Sequence, residues 1–194
     1  LLGIEIPDVT NLGGNLWGCD NVDAPEVWAS SGNFSGVTGN NVTVAVLDTG
    51  IDYDHPEFSG RIVQGYDFVS NDSIAEDVHG HGTHCAGTIA GANDGTGITG
   101  IAYNANIMPI KVLNDSGSGS WSNCAAGIRY AADNGADVIS MSLGGSSGSS
   151  LVLSAIEYAS EKGVVVISAA GNDSASSPSY PARYATDYGM AVGA

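Results

Sequence analysis

The feature that most constrains this chain is a set of short apolar runs with no steady polar alternation. Asn41–Leu47 (NVTVAVL), Ile107–Val112 (IMPIKV) and Val164–Ala170 (VVVISAA) are rich in β-branched residues. A strand with one wet face alternates apolar and polar residues, whereas a strand apolar on both sides belongs to a sheet buried between two layers. Val138–Leu143 (VISMSL) and a run starting at Met190–Gly193 also read as strands. Helical segments separate them. Asp23 caps a short helix running to Trp28, with Pro25 in its first turn; His81–Ala90, Cys124–Asn134 and Leu151–Lys162 follow, the last with Gly163 just beyond it. Strands alternating with helices predict a three-layer α/β fold: a mostly parallel sheet with helices on both faces. Ligands of such sheets bind beyond the carboxyl ends of the strands. Asp48, Ser142-Leu-Gly-Gly145 and Asn172 each follow a strand, so all three are expected on one rim.

Length allows a single domain with a proper core. Residues 1–16 read as an N-terminal arm or the end of a propeptide, and 17–194 as the domain. There are 21 acidic against 5 basic residues, a net charge of −16. With no basic patch to neutralise phosphates, the chain is not expected to bind nucleic acid or an anionic membrane. No apolar run reaches the ~18 residues of a membrane span. High acidity and scarce lysine suit a secreted protein. The odd cysteine count (Cys19, Cys85, Cys124) leaves at least one thiol free, and a Cys19–Cys124 bridge is one pairing it allows.

Two motifs carry chemistry. In Val46-Leu-Asp-Thr-Gly50, Asp48 ends a buried strand, where a carboxylate can orient a histidine; alone it also reads as a turn residue. The paired D-T-G loops of aspartic proteases need a second such loop, and this chain has one. In His79-Gly-His-Gly-Thr-His84, three of the four histidines fall within six residues. Histidine suits general-base work near neutral pH. Zinc binding through His79 and His81 is the rival reading, but no third ligand has the usual spacing. His84, one turn deeper, reads as a helix histidine. A third stretch, Ala169-Ala-Gly-Asn172-Asp173, places an amide after a strand, where it can face a developing oxyanion or simply cap a turn.

Together the three stretches resemble the subtilase family of serine proteases (peptidase S8). VLDTGI matches the family's Asp block, HGTHCAGT its His block, and SLGG and AAGN its substrate and oxyanion blocks, in the family's order over about residues 17–194. The resemblance implies a subtilisin-like fold, incomplete at its C-terminus. It implies a serine endopeptidase with Asp48 as orienting acid, His81 as general base and Asn172 as oxyanion donor. Cys85 follows as in the proteinase K branch, under the catalytic histidine. The family's nucleophile sits in a G-T-S-x-A block, and no such block occurs here. The serine is therefore expected beyond the end of this sequence, and the 194 residues alone are expected to be inactive.

The resemblance further implies that substrate polypeptide adds as a strand between Gly117-Ser118-Gly119-Ser-Trp121 and Ser142-Leu143-Gly144-Gly145. Trp121, Cys124 and Leu143 then line an apolar pocket for the fourth residue before the cleaved bond. Ala169, Gly171 and Ser179 shape the pocket for the first. That pocket is expected to be open and mostly uncharged, favouring bulky apolar or aromatic side chains, with Asp173 at its rim and Asp77 near His81 as the acids that can admit basic ones. Calcium is the implied cofactor, held by Glu57, Ala92, Asp94, Thr96 and Ile98, with a weaker site at Ala182, Tyr184 and Asp187. Glu57 is one methylene longer than the family's usual Asp. A monomer, with its own propeptide as a further partner, completes the expectation. The rival within the family is a relative that binds peptide without cleaving it.

Overall fold

The computed structural model describes residues 16–29 and 36–193. All but the last residue of the expected N-terminal arm lies outside them. The chain opens with two short helices, α1 (Trp17–Asp20) and α2 (Ala24–Trp28). Then come β1 (Thr43–Asp48), β2 (Tyr66–Asp67), α3 (His81–Ala90), β3 (Asn106–Lys111), α4 (Trp121–Asp133), β4 (Val138–Met141), α5 (Ser150–Glu161), β5 (Val165–Ala169) and β6 (Met190–Val192).

The six strands form one sheet in the order β2-β3-β1-β4-β5-β6, every pairing parallel. Its two faces are sorted by the strand period. On one face Ala45 and Leu47 join Met108, Ile110, Ile139 and Val166 under α4 and α5. On the other, Val44, Val46 and Ile107 pack with Ala86 and Ala90 of α3 and with Phe58. Helices therefore cover both faces, as the unalternating apolar runs predict.

Some boundaries move. Helix α4 starts at Trp121, three residues earlier than the apolar pattern suggests, because Ser120 accepts the N–H of Asn123 on its hydroxyl (3.1 Å) and caps it. Strand β4 stops at Met141, releasing Ser142-Leu143 into the loop. The two-residue β2 has no period to read. The sheet order puts β1 between β3 and β4, with β5 beyond β4. The carboxyl ends of β1, β4 and β5 are thus neighbours on one edge.

Candidate active site

Asp48 is the last residue of β1 and is wholly buried. Its Oδ1 accepts the backbone N–H of Thr49 and lies 2.7 Å from His81 Nδ1. A carboxylate can only accept, so Nδ1 carries the proton and donates it. Nε2 is left with its lone pair, on a side chain that is 44% exposed. The pair is a base facing solvent, oriented from behind.

What sets this geometry is a clamp between the end of β1 and the first turn of α3. Thr49 Oγ1 donates to Asp77 Oδ1 (2.8 Å) and accepts the N–H of Gly82 (2.9 Å). Asp77 Oδ2 accepts both the N–H (2.9 Å) and hydroxyl (2.6 Å) of Thr83, while Oδ1 also takes the N–H groups of His79 and Gly80. Burial pushes the Asp77 carboxyl up, but these donors outweigh it and hold it at about 2. Gly82 is needed for the approach: a Cβ there would stand 2.2 Å from the Gly50 carbonyl oxygen. Asp77 therefore caps α3 and is not the free acid expected to meet basic substrates. Its place just ahead of a helix start was the signal for that role.

His79 and His81 stand edge to face, 6.3 Å apart. Among the described residues, the one set with metal-ligating atoms close together is Asp48, His81 and Cys85, without His79. The zinc reading through His79 and His81 is not supported, since among the described residues no group of ligating atoms includes both. Cys85 Sγ lies 3.9 Å and 4.0 Å from the two imidazole nitrogens, where the sequence put it, and burial pushes its thiol up. His84 is exposed on α3. No Cys19–Cys124 bridge forms. Cys19 donates to the Thr99 carbonyl (3.3 Å), and Cys124 packs on Met141 with its thiol pushed by burial to about 12.

The two expected substrate edges face each other. Gly117, Ser118, Gly119, Trp121, Cys124, Ser142, Leu143 and Gly144 line a cavity of about 430 Å³. Beyond it, a cavity of about 720 Å³ is lined by Ser142, Leu143 and Gly144 together with Ala169, Gly171, Asn172, Asp173 and Ser179. Ser179 is held by its N–H and hydroxyl on the Ala170 carbonyl (2.8 and 3.2 Å). Asn172 stands exposed on the loop after β5, beside Asp173 at the cavity rim.

Of the residues expected to hold calcium at the first position, the two acids have oxygens already taken by N–H and hydroxyl donors. Glu57 is buried, and its Oε2 and Oε1 accept the N–H groups of Ala92 (2.7 Å) and Ile98 (3.1 Å). Asp94 Oδ1 is spent on the N–H (3.0 Å) and hydroxyl (2.8 Å) of Thr96. Calcium needs six to eight oxygens turned toward it. At the second position, the Tyr184 carbonyl already takes the N–H groups of Asp187 and Tyr188 (3.1 Å each), Ala182 is buried, and Asp187 is exposed.

A parallel α/β sheet thus carries a buried carboxylate and an exposed imidazole joined at its carboxyl edge. The chain belongs to the subtilase family, peptidase S8, whose sequence model matches residues 39–194. It is 45% identical over 176 residues to thermitase of Thermoactinomyces vulgaris, covering 90% of this chain and 61% of that one. To subtilisin Savinase of Lederbergia lenta it is 46% identical over 178 residues, covering 92% and 62%. The solved structure of sphericase superposes with a TM-score of 0.70 at 42% identity, over 74% of this chain and 51% of that one. The chain thus spans about three-fifths of these two curated relatives. Among the described residues, no helix is long and apolar enough to cross a membrane.

Proposed function

We propose that the whole protein is a secreted serine endopeptidase working through an Asp–His–Ser triad, with Asp48 and His81 as two of its members. The observation that carries this is the 2.7 Å bond from His81 Nδ1 to the fully buried Asp48. It leaves Nε2 as the base. In this reading Nε2 takes the hydroxyl proton as a serine oxygen attacks the peptide carbonyl. Asn172 donates its amide N–H to the oxyanion that forms, and the new imidazolium returns its proton to the departing amine. An acyl-enzyme remains, which water cleaves by the same steps in reverse order. Asp48 stays ionised and stabilises the imidazolium.

The serine belongs to sequence outside these 194 residues, so the residues in hand are inactive by themselves. Peptide lies as a strand between Gly117–Gly119 and Ser142–Gly144. Trp121 and Leu143 favour a bulky apolar side chain four residues before the cut, and Ala169, Gly171 and Ser179 admit one at the cut itself. In the His block, with Cys85 under His81, the chain follows the proteinase K branch. A monomer, first bound to its own propeptide, fits a secreted protease. The decisive test is labelling of the full-length protein by a fluorophosphonate probe. Labelling is expected in the parent and lost in His81→Ala. A correctly folded parent that takes no label overturns the enzyme in favour of a peptide binder.

A further inference from the structure

We infer that the carboxylate of Glu57 takes the place of the expected calcium ion in the loop that follows α3, so that this loop is ordered without metal. The inference stands on the fold and does not depend on the proposed peptidase activity.

The loop has the polarity of an anion site. Backbone N–H groups, from Ala92 at its start and Ile98 at its end, converge on the two oxygens of one side chain. Such charge-assisted bonds are among the stronger ones a backbone makes. A calcium ion at that point would face amide hydrogens, where it needs oxygens at about 2.3–2.6 Å. The loop also presses on Oε1 from Gly97. Gly97 has φ +62°, and a Cβ there would lie 1.9 Å from Glu57 Oε1. The loop backbone is therefore wrapped onto the carboxylate, and only glycine allows the wrap.

Glu57 is anchored from its other end as well. Its backbone carbonyl accepts from the Arg61 guanidinium, which also reaches the Ala105 carbonyl (3.1 Å). Phe58, next in the chain, is buried with Ile51, Ala86 and Ala90 beneath α3. Burial pushes the Arg61 guanidinium down and the charge of Glu57 pushes it part of the way back up. A buried carboxylate must be paired or hydrogen-bonded; here the Ala92 and Ile98 amides take one oxygen each. The other acid of the loop, Asp94, bends back onto Thr96. Glu57 is one methylene longer than Asp, and its carboxylate reaches the N–H groups of Ala92 and Ile98.

The test uses the full-length protein in excess EGTA and in excess calcium. Hydrogen exchange of the Ala92 and Ile98 amides is measured in both. Protection is expected to be equal in the two conditions. Amides that exchange freely in EGTA and become protected with calcium overturn the inference. Thermal unfolding gives a second arm, and Glu57→Gln tells this loop from any other site. The expected result is a lower melting temperature in Glu57→Gln, with a calcium-dependent shift equal to the parent's, whether that shift is zero or not. A parent shift of about 5–10 °C, the size a well-occupied site gives, that vanishes in Glu57→Gln overturns it. If Glu57→Gln does not fold, the amide exchange of the parent decides alone.

Discussion

Two neighbouring stretches of the same sheet edge are built in opposite ways. Around His81 the chain is tied inward: Asp48 and Thr49 are fully buried, and Asp77 takes bonds from Thr49, His79, Gly80 and Thr83. Around Asn172 it is left open. Residues 171–178 are all exposed, and among the described residues the Asn172 side chain has no hydrogen-bond partner. The difference follows from the two jobs proposed. A base must be oriented before substrate arrives, because its tautomer and direction decide whether it works. An oxyanion donor must keep its N–H free for a charge that exists only in the transition state. The first is built by closing bonds, the second by leaving one unmade.

That contrast can be broken from the closed side first. In the full-length protein, His81→Ala is expected to lower kcat about 10⁶-fold, the loss that removal of the corresponding histidine causes in a subtilisin; steady-state hydrolysis of a chromogenic peptide measures it. On the open side, Asn172→Ala is expected to lower kcat about 10²–10³-fold with KM nearly unchanged, again the range of a subtilisin oxyanion donor. A rise in KM without a fall in kcat assigns Asn172 to ground-state binding and ends its proposed role.

Asp77→Asn sharpens the comparison, because it loosens the clamp and spares the reacting groups. A carboxyl at about 2 in the folded protein, against about 3.9 unfolded, stabilises the fold fully above the higher value. That contribution is lost as the pH falls from about 4 to about 2. Asp77 is partly exposed, so screening leaves about 1 kcal/mol, or about 2–4 °C in melting temperature. The deficit of Asp77→Asn is expected at neutral pH and should close as the pH falls through that window. A deficit constant down to pH 2 removes the charge argument. The smallest effect belongs to the substrate cleft. Trp121→Ala is expected to raise KM several-fold, by about 1 kcal/mol of apolar contact, for peptides with a bulky residue four before the cut. Peptides with Ala there should not respond.

Much of this was legible in the chain. The apolar runs gave both faces of the sheet, because Val44 and Val46 had to be buried on one side and Ala45 and Leu47 on the other. Asp48 and His81 stood out through the family's Asp and His blocks; alone, Asp48 also read as a turn residue. What could not be read depended on distance or direction. Cysteine counting allowed a Cys19–Cys124 bridge, but one thiol reaches Thr99 and the other lies under α4 against Met141. Asp77 looked like a free acid until its donors, spread from Thr49 to Thr83, were brought around it. That Glu57 accepts the amides of Ala92 and Ile98 was not legible either, because residue type and position do not tell which way the backbone of a facing loop turns.

The strand order also has a consequence in time. β1 sits at the centre of the sheet, yet it is made long before β3 and β4, its two neighbours. On the ribosome Asp48 therefore emerges on a strand with no partner, and its apolar faces stay uncovered until residue 111 and then 141 have followed. Parallel sheets with such distant pairings fold slowly and expose aggregation-prone surface while they wait. The centre of the sheet is thus the part that waits longest for its partners.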